Sequence, residues 1–210
     1  MVDAALVHNR FAERLRADDA VLAIVDGQAD LLATAVAPVG GTAALHNNLM
    51  GLARLGHAFN LPTVLGVCTG TACGPVLDEL VDLFGAAAIA KRRAGAFWDD
   101  PASREAVLAH GRRHLIVASL TPAFGIAETA LGARGHGLEV HAVLDASAGS
   151  SDGAGRIGMA RMTAAGIRLT SWVAVLAELG ATCVDIAGGN GAAAVRDNLD
   201  RYTAVPATLT

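Results

Sequence analysis

Three cysteines in 210 residues, Cys68, Cys73 and Cys183, are too few and too odd in number for a disulfide framework. Cys68 and Cys73 stand five apart with no histidine near them, so a zinc site is not expected. Basic clusters are missing too. The longest is Lys91-Arg92-Arg93 in a chain of net charge −4, which is too little to track a phosphate backbone and excludes nucleic acid as an expected partner. Apolar runs break after about eight residues, whereas a membrane helix needs roughly 20. No signal-peptide pattern precedes Arg10, Glu13 and Arg14. A cytoplasmic protein with no membrane partner is expected. Aromatics reach only 4%, while hydrophobic residues make up 53%. That is ample material for one core and excludes disorder. Ala and Gly carry much of it, which suits close helix-on-sheet and subunit packing and follows equally from GC-rich coding.

What is present reads as alternating strands and helices. Val21–Val25, Thr63–Val67 and His114–Ala118 are short, largely continuous apolar runs, the pattern of parallel strands buried on both faces, and Leu138–Leu144, which includes Glu139 and His141, reads as a fourth. Ala87–Ala90 is a shorter fifth run and Thr182–Ala187 a sixth. Between them, Leu45, Leu49, Leu52, Leu55 and Phe59 recur at helical spacing, as do Val76, Leu80 and Leu83. Ala102–His110, Gly125–Arg134 and Arg156–Ala165 also read as helices. Strands alternating with helices predict an α/β fold: one Rossmann-like domain over 1–210, with a parallel sheet flanked by helices on both faces. Ligands in such folds sit beyond the carboxyl ends of the strands. Asp26, Lys91, the Leu120–Gly125 turn and Asp145 fall there.

Each motif has a plain reading beside the chemical one. Gly153-Ala154-Gly155-Arg156-Ile157-Gly158 matches GxGxxG, but it follows the fourth strand rather than the first, and no acidic residue waits at a strand end about twenty residues on. A glycine-rich helix entry is the better reading, and no nucleotide cofactor is expected. A strand-end aspartate such as Asp26 is by itself more often a helix cap than a catalytic group. Lys91 is open between a solvated side chain and a proton-sharing partner of Asp26.

Val21–Gln28, Asn60-Leu61-Pro62-Thr63 and Lys91–Phe97 together resemble the isochorismatase-like cysteine hydrolase superfamily. Leu115–Gly125 aligns without gaps to that family's strand and nucleophile elbow. Thr129-Ala130, Gly137–Val140, Asp145-Ala146-Ser147 and Met162–Trp172 continue the register, the last two most like the YcaC-like branch. The resemblance spans about residues 20–180. It implies an aspartate at Asp26 and a lysine at Lys91 as catalytic groups. It implies substrate contacts from Gln28, Phe97, Trp98, Leu120, Thr121 and Phe124, and a homo-oligomer, tetramer or octamer. It also maps a non-proline cis peptide onto Leu120-Thr121.

Two departures stand out. The cysteine nucleophile falls on Gly125, so no thioester can form there. The Asp-x-His pair and further His of the metal-dependent nicotinamidase branch are absent from Thr69–Pro75, so no metal is expected. Isochorismatases proper are similar in carrying glycine at this position and using the aspartate as an acid. Their Tyr-Ala-His-Ile, however, reads Thr121-Pro122-Ala123-Phe124 here, which predicts a more apolar pocket.

The expectation is therefore a hydrolase-like enzyme for a small organic molecule, working through Asp26 and Lys91 without a covalent cysteine. The alternative is an inactive binding or scaffold protein. A further option is a thiol relocated to Cys68 or Cys73, although cysteines more often serve as small core residues.

Overall fold

The computed structural model describes residues 14–36, 40–93, 95–121, 125–149, 153–182 and 190–203. Six strands run parallel: β1 (Ala20–Val25), β2 (Thr63–Cys68), β3 (Ile89–Arg92), β4 (His114–Ser119), β5 (Glu139–Val143) and β6 (Arg168–Thr170). Their spatial order is β3-β2-β1-β4-β5-β6. The order reverses at β1, the first strand, which puts a crevice at the carboxyl ends of β1 and β4.

Alternation along the strands separates two cores. Leu22 and Ile24 of β1 join Leu45, Leu49, Leu52 and Leu55 of α2 (Gly41–Ala58), with Trp172 and Val175 of α7 (Trp172–Thr182). Val21, Ala23 and Val25 join the opposite layer with Phe97, Trp98, Val107 of α4 (Pro101–Leu108) and Ala127, Ala130 and Ala133 of α5 (Gly125–Gly135). Small residues let these layers close tightly. A Cβ on Gly51 would lie 3.0 Å from the Trp172 ring. The start of α4 is coded locally: Pro101 takes the first turn, and the Asp100 side chain accepts from Ser103 N–H at 2.8 Å.

The remaining helices are α1 (Ala29–Thr34), α3 (Asp78–Phe84), α6 (Gly153–Ala164) and α8 (Asn190–Thr203). The glycine-rich motif lies inside α6 rather than in a strand-to-helix loop, consistent with the glycine-rich helix entry expected from the sequence. Three expectations change. Thr182 closes α7, so it starts no strand, and the rest of that expected run, 183–187, lies outside the described residues. The sixth strand is instead Arg168–Thr170, too short to show a period. The fifth expected run is shifted, with β3 starting at Ile89 and continuing to Arg92. The Leu120–Thr121 peptide is trans.

Candidate functional site

The site grows from the end of β1. Asp26 leaves the strand with φ of 58°, a left-handed conformation that Asp tolerates better than most side chains. Its N–H still donates to Gly66 O at 2.7 Å, so the residue stays anchored to β2 while the chain turns away. The carboxylate is 1% exposed.

Four donors converge on it. Arg92 Nη1 donates to Oδ1 at 2.6 Å and Nη2 donates to Oδ2 at 2.7 Å, a bidentate fork. Cys68 N–H donates to Oδ1 at 3.1 Å. The Thr121 hydroxyl donates to Oδ2. Arg92 Nε is held in turn by Gly95 O at 3.1 Å. Burial works against the guanidinium charge, but the hydrogen bonds and charge of Asp26 outweigh it and hold the Arg92 pKa above its usual value.

Lys91, expected to pair with Asp26, does not. It is exposed, and its neighbour Arg92 makes the ion pair. The cause is strand phase. β2 and β3 align Val67 with Lys91 and Cys68 with Arg92. Ile89 packs on the α2 layer and Ala90 on the opposite one, so Arg92, two residues after Ala90, shares the face of Phe97 and Val25. A strand taken to end at Ala90 gives no reason to prefer Arg92. A strand through Arg92 shows it once its pairing with Cys68 of β2 is known.

Thr121 closes the site from β4. Its N–H donates to Ser119 Oγ at 3.2 Å. Ser119 N–H donates to Ser147 Oγ at 3.1 Å, and Ser147 Oγ donates to Val143 O at 2.7 Å. This chain of hydroxyls fixes the turn beyond β4 against the end of β5. At the start of α5, Gly125 faces the same turn. A Cβ there would sit 2.6 Å from Ser119 Oγ and 2.8 Å from Thr121 Oγ1, and would also press on Thr121 Cβ. The space beside Gly125 is thus filled by Thr121.

A cavity of about 220 Å³ opens over these groups. Val25, Arg92, Gly95, Ala96, Phe97, Thr121, Gly125 and Glu128 line it. Glu128 is paired with Arg161 at 2.6 Å.

Other expected contacts are scaffold. Gln28 is buried, and its amide is used up within the chain: Nε2 donates to Cys68 O and Gly74 O, and Oε1 accepts from Cys68 N–H. It latches the loop after β2. Leu120 is fully buried in the α2 layer. Trp98 packs over Gly132 of α5, and its Nε1 donates to His136 Nδ1 at 3.0 Å. Phe124 lies outside the described residues. Asp145 accepts from Trp172 N–H at 3.0 Å and so caps α7. Burial, then the nearby Cys68 thiol, pushes the Cys73 thiol up to about 11. It stays protonated near neutral pH, a poor nucleophile.

A parallel sheet with a buried aspartate where its strand order reverses fits the isochorismatase-like architecture that the sequence resemblance implies. The Isochorismatase domain model matches residues 19–174, and the chain belongs to that family. The probable hydrolase YcaC of Escherichia coli K12 is 32% identical over 170 residues, covering 79% of this chain and 80% of that protein. The structure of YcaC from Pseudomonas aeruginosa, with hexane-2,5-diol and covalent acrylamide, superposes with a TM-score of 0.80 at 30% identity, over 91% of this chain and 95% of that one. YcaC from E. coli, an octameric hydrolase of unknown specificity, gives 0.78 at 30% identity, over 90% and 95%.

Proposed function

We propose that the chain is a hydrolase for a small, largely apolar organic substrate, with Asp26 as its acid–base group and no cysteine intermediate. One observation carries the reading: a buried carboxylate holds Arg92 and the Thr121 hydroxyl, and both of these residues line the cavity together with Phe97 and Gly125. Arg92 replaces Lys91 as the cationic partner in this reading. Its planar fork holds both carboxylate oxygens in a fixed bidentate geometry, where a lysine ammonium is a flexible point charge. The first-turn N–H groups of α5 have no partners within their helix and place the positive end of its dipole at the cavity, suited to a developing oxyanion.

Gly125 takes the position where the family's thiol nucleophile stands in the ungapped alignment with the nucleophile elbow. The Pseudomonas relative, which carries covalent acrylamide, supports a fold that admits small carbonyl compounds. The apolar Ile157 and Met159, exposed on α6, together with the octameric E. coli relative, support a homo-oligomer. Light scattering showing a monomer at micromolar concentration refutes that part.

The test is turnover of a panel of small esters and amides by wild-type protein and by Asp26→Asn, at a temperature where both are folded. A loss of about 10²–10⁴ in rate is expected. Wild-type rates in the variant refute the acid–base role.

A second reading has one observation in its favour. All four donors on Asp26 come from the chain itself, as in a purely structural lock. That reading, an inactive binding protein, requires that no member of the panel be turned over.

A further inference from the structure

We propose that Thr121 is the nucleophile of this site, and that its hydroxyl forms a transient acyl ester with the substrate. The inference rests on the hydrolase reading above and names the group that attacks. Three observations meet at one atom. Thr121 Oγ1 donates its hydrogen to Asp26 Oδ2, so a proton acceptor is already in contact with it. Thr121 lines the cavity, and among the described residues lining it no other carries a hydroxyl or thiol. Its oxygen lies 2.8 Å from where a Cβ on Gly125 would stand, so the oxygen occupies the space that a side chain at the start of α5 would otherwise take.

Competing groups are placed differently. Ser119 is fully buried, and its hydroxyl accepts from Thr121 N–H. Cys73 is buried, with its thiol held protonated. The hydroxyl chain through Ser119 and Ser147 acts on Thr121 only through the backbone, fixing the turn that carries it. Those two serines are positioning residues in this scheme.

The chemistry balances without any further reagent. Thr121 Oγ1 bonds to the acyl carbon while its proton passes to Asp26 Oδ2 and the carbonyl π pair moves onto the carbonyl oxygen. The adduct collapses, the bond to the leaving oxygen or nitrogen breaks, and that atom takes the proton from Asp26. A threonyl ester remains. Water then attacks the ester carbon and gives a proton to Asp26. Oγ1 is expelled and recovers that proton. The sum is substrate plus water to carboxylic acid plus alcohol or amine. Arg92 holds the Asp26 carboxylate in place through both transfers. The cavity of about 220 Å³ and its Phe97 and Ala96 walls suit a short, unbranched acyl group.

The experiment uses p-nitrophenyl acetate with the full-length protein. Rapid mixing follows p-nitrophenolate, and acid quenching followed by intact-mass and peptide mass spectrometry locates any acetyl group. A burst of about one product per chain, with acetyl on Thr121, is expected. Thr121→Val keeps the shape, removes the hydroxyl, and should abolish both burst and label. Thr121→Ser keeps the hydroxyl and should retain both at residue 121, which guards against a variant that merely fails to fold. Hydrolysis that depends on Asp26 but persists at the wild-type rate in Thr121→Val, with no label at Thr121, overturns the inference. It leaves the hydrolase reading standing, with water as the attacking group. Acetyl found only on cysteine or lysine also overturns it. Absence of both hydrolysis and label in the wild-type protein overturns the inference and the hydrolase reading together.

Discussion

Replacing Asp26 by Asn changes one charge and little volume, yet the structure makes it a severe substitution. The backbone is not the difficulty: Asn adopts the φ of 58° at this position at least as readily as Asp. The difficulty is Arg92. Its guanidinium side chain is 4% exposed, and both of its terminal nitrogens donate to the carboxylate. With Asn, one nitrogen of Arg92 faces an amide N–H₂ instead of an acceptor, and the buried positive charge is left unbalanced. Breaking a buried pair from one side costs about 3–5 kcal/mol. For a chain of this size each kcal/mol moves Tm by about 2–4 °C, so a fall of roughly 6–20 °C is expected. Arg92→Met alone should cost a similar amount, since it buries a carboxylate without its cation. The double variant Asp26→Asn/Arg92→Met should recover much of the loss, because a whole buried pair replaced by neutral groups is often nearly neutral in stability. The assay is thermal and urea unfolding of all four proteins as a double-mutant cycle. Single variants within about 2 °C of wild type, or strictly additive losses, refute a desolvated Asp26–Arg92 clamp.

Three other outcomes follow from the same geometry. Gly125→Ala puts a Cβ 2.6 Å from Ser119 Oγ and forces the turn apart, at a cost of roughly 1–3 kcal/mol by urea unfolding; a fully stable variant refutes the close packing there. Burial, with the charges of His114 and Arg168, pushes the His141 pKa down to about 3, so the folded state keeps it neutral. The unfolded chain takes up that proton from about pH 6.5 downward, and stability should fall by about 1.4 kcal/mol per pH unit from there toward pH 3. His141→Leu should flatten that slope, and an unchanged slope refutes the assignment. Cys73, with its thiol raised from 9.0 to about 11, should react with iodoacetamide at pH 8 about 100-fold more slowly than an unperturbed thiol, as read by peptide mapping; modification at the ordinary thiol rate refutes its burial.

The fold was legible because its strands are buried on both faces. Largely continuous apolar runs mark β1, β2 and β4 without help from distant residues, and β5 shows through its apolar positions around Glu139 and His141. Asp26 was legible for the same reason, as the first polar residue after such a run. What local pattern could not settle was phase at the sheet's edge. β3 has four residues and β6 three, too few for a period to show, and only pairing with Cys68 of β2 makes Arg92 rather than Lys91 point at Asp26. The roles of Gln28, Leu120 and Trp98 were likewise decided by what packs on them: a loop latch, a core side chain and a lid over Gly132. Gly125 shows the division most clearly. The sequence alone marks it as the place where a side chain is absent. Only the tertiary structure brings Thr121, just beyond β4, into the space beside Gly125, because Ser119 holds the Thr121 backbone and Ser147, from beyond β5, holds Ser119.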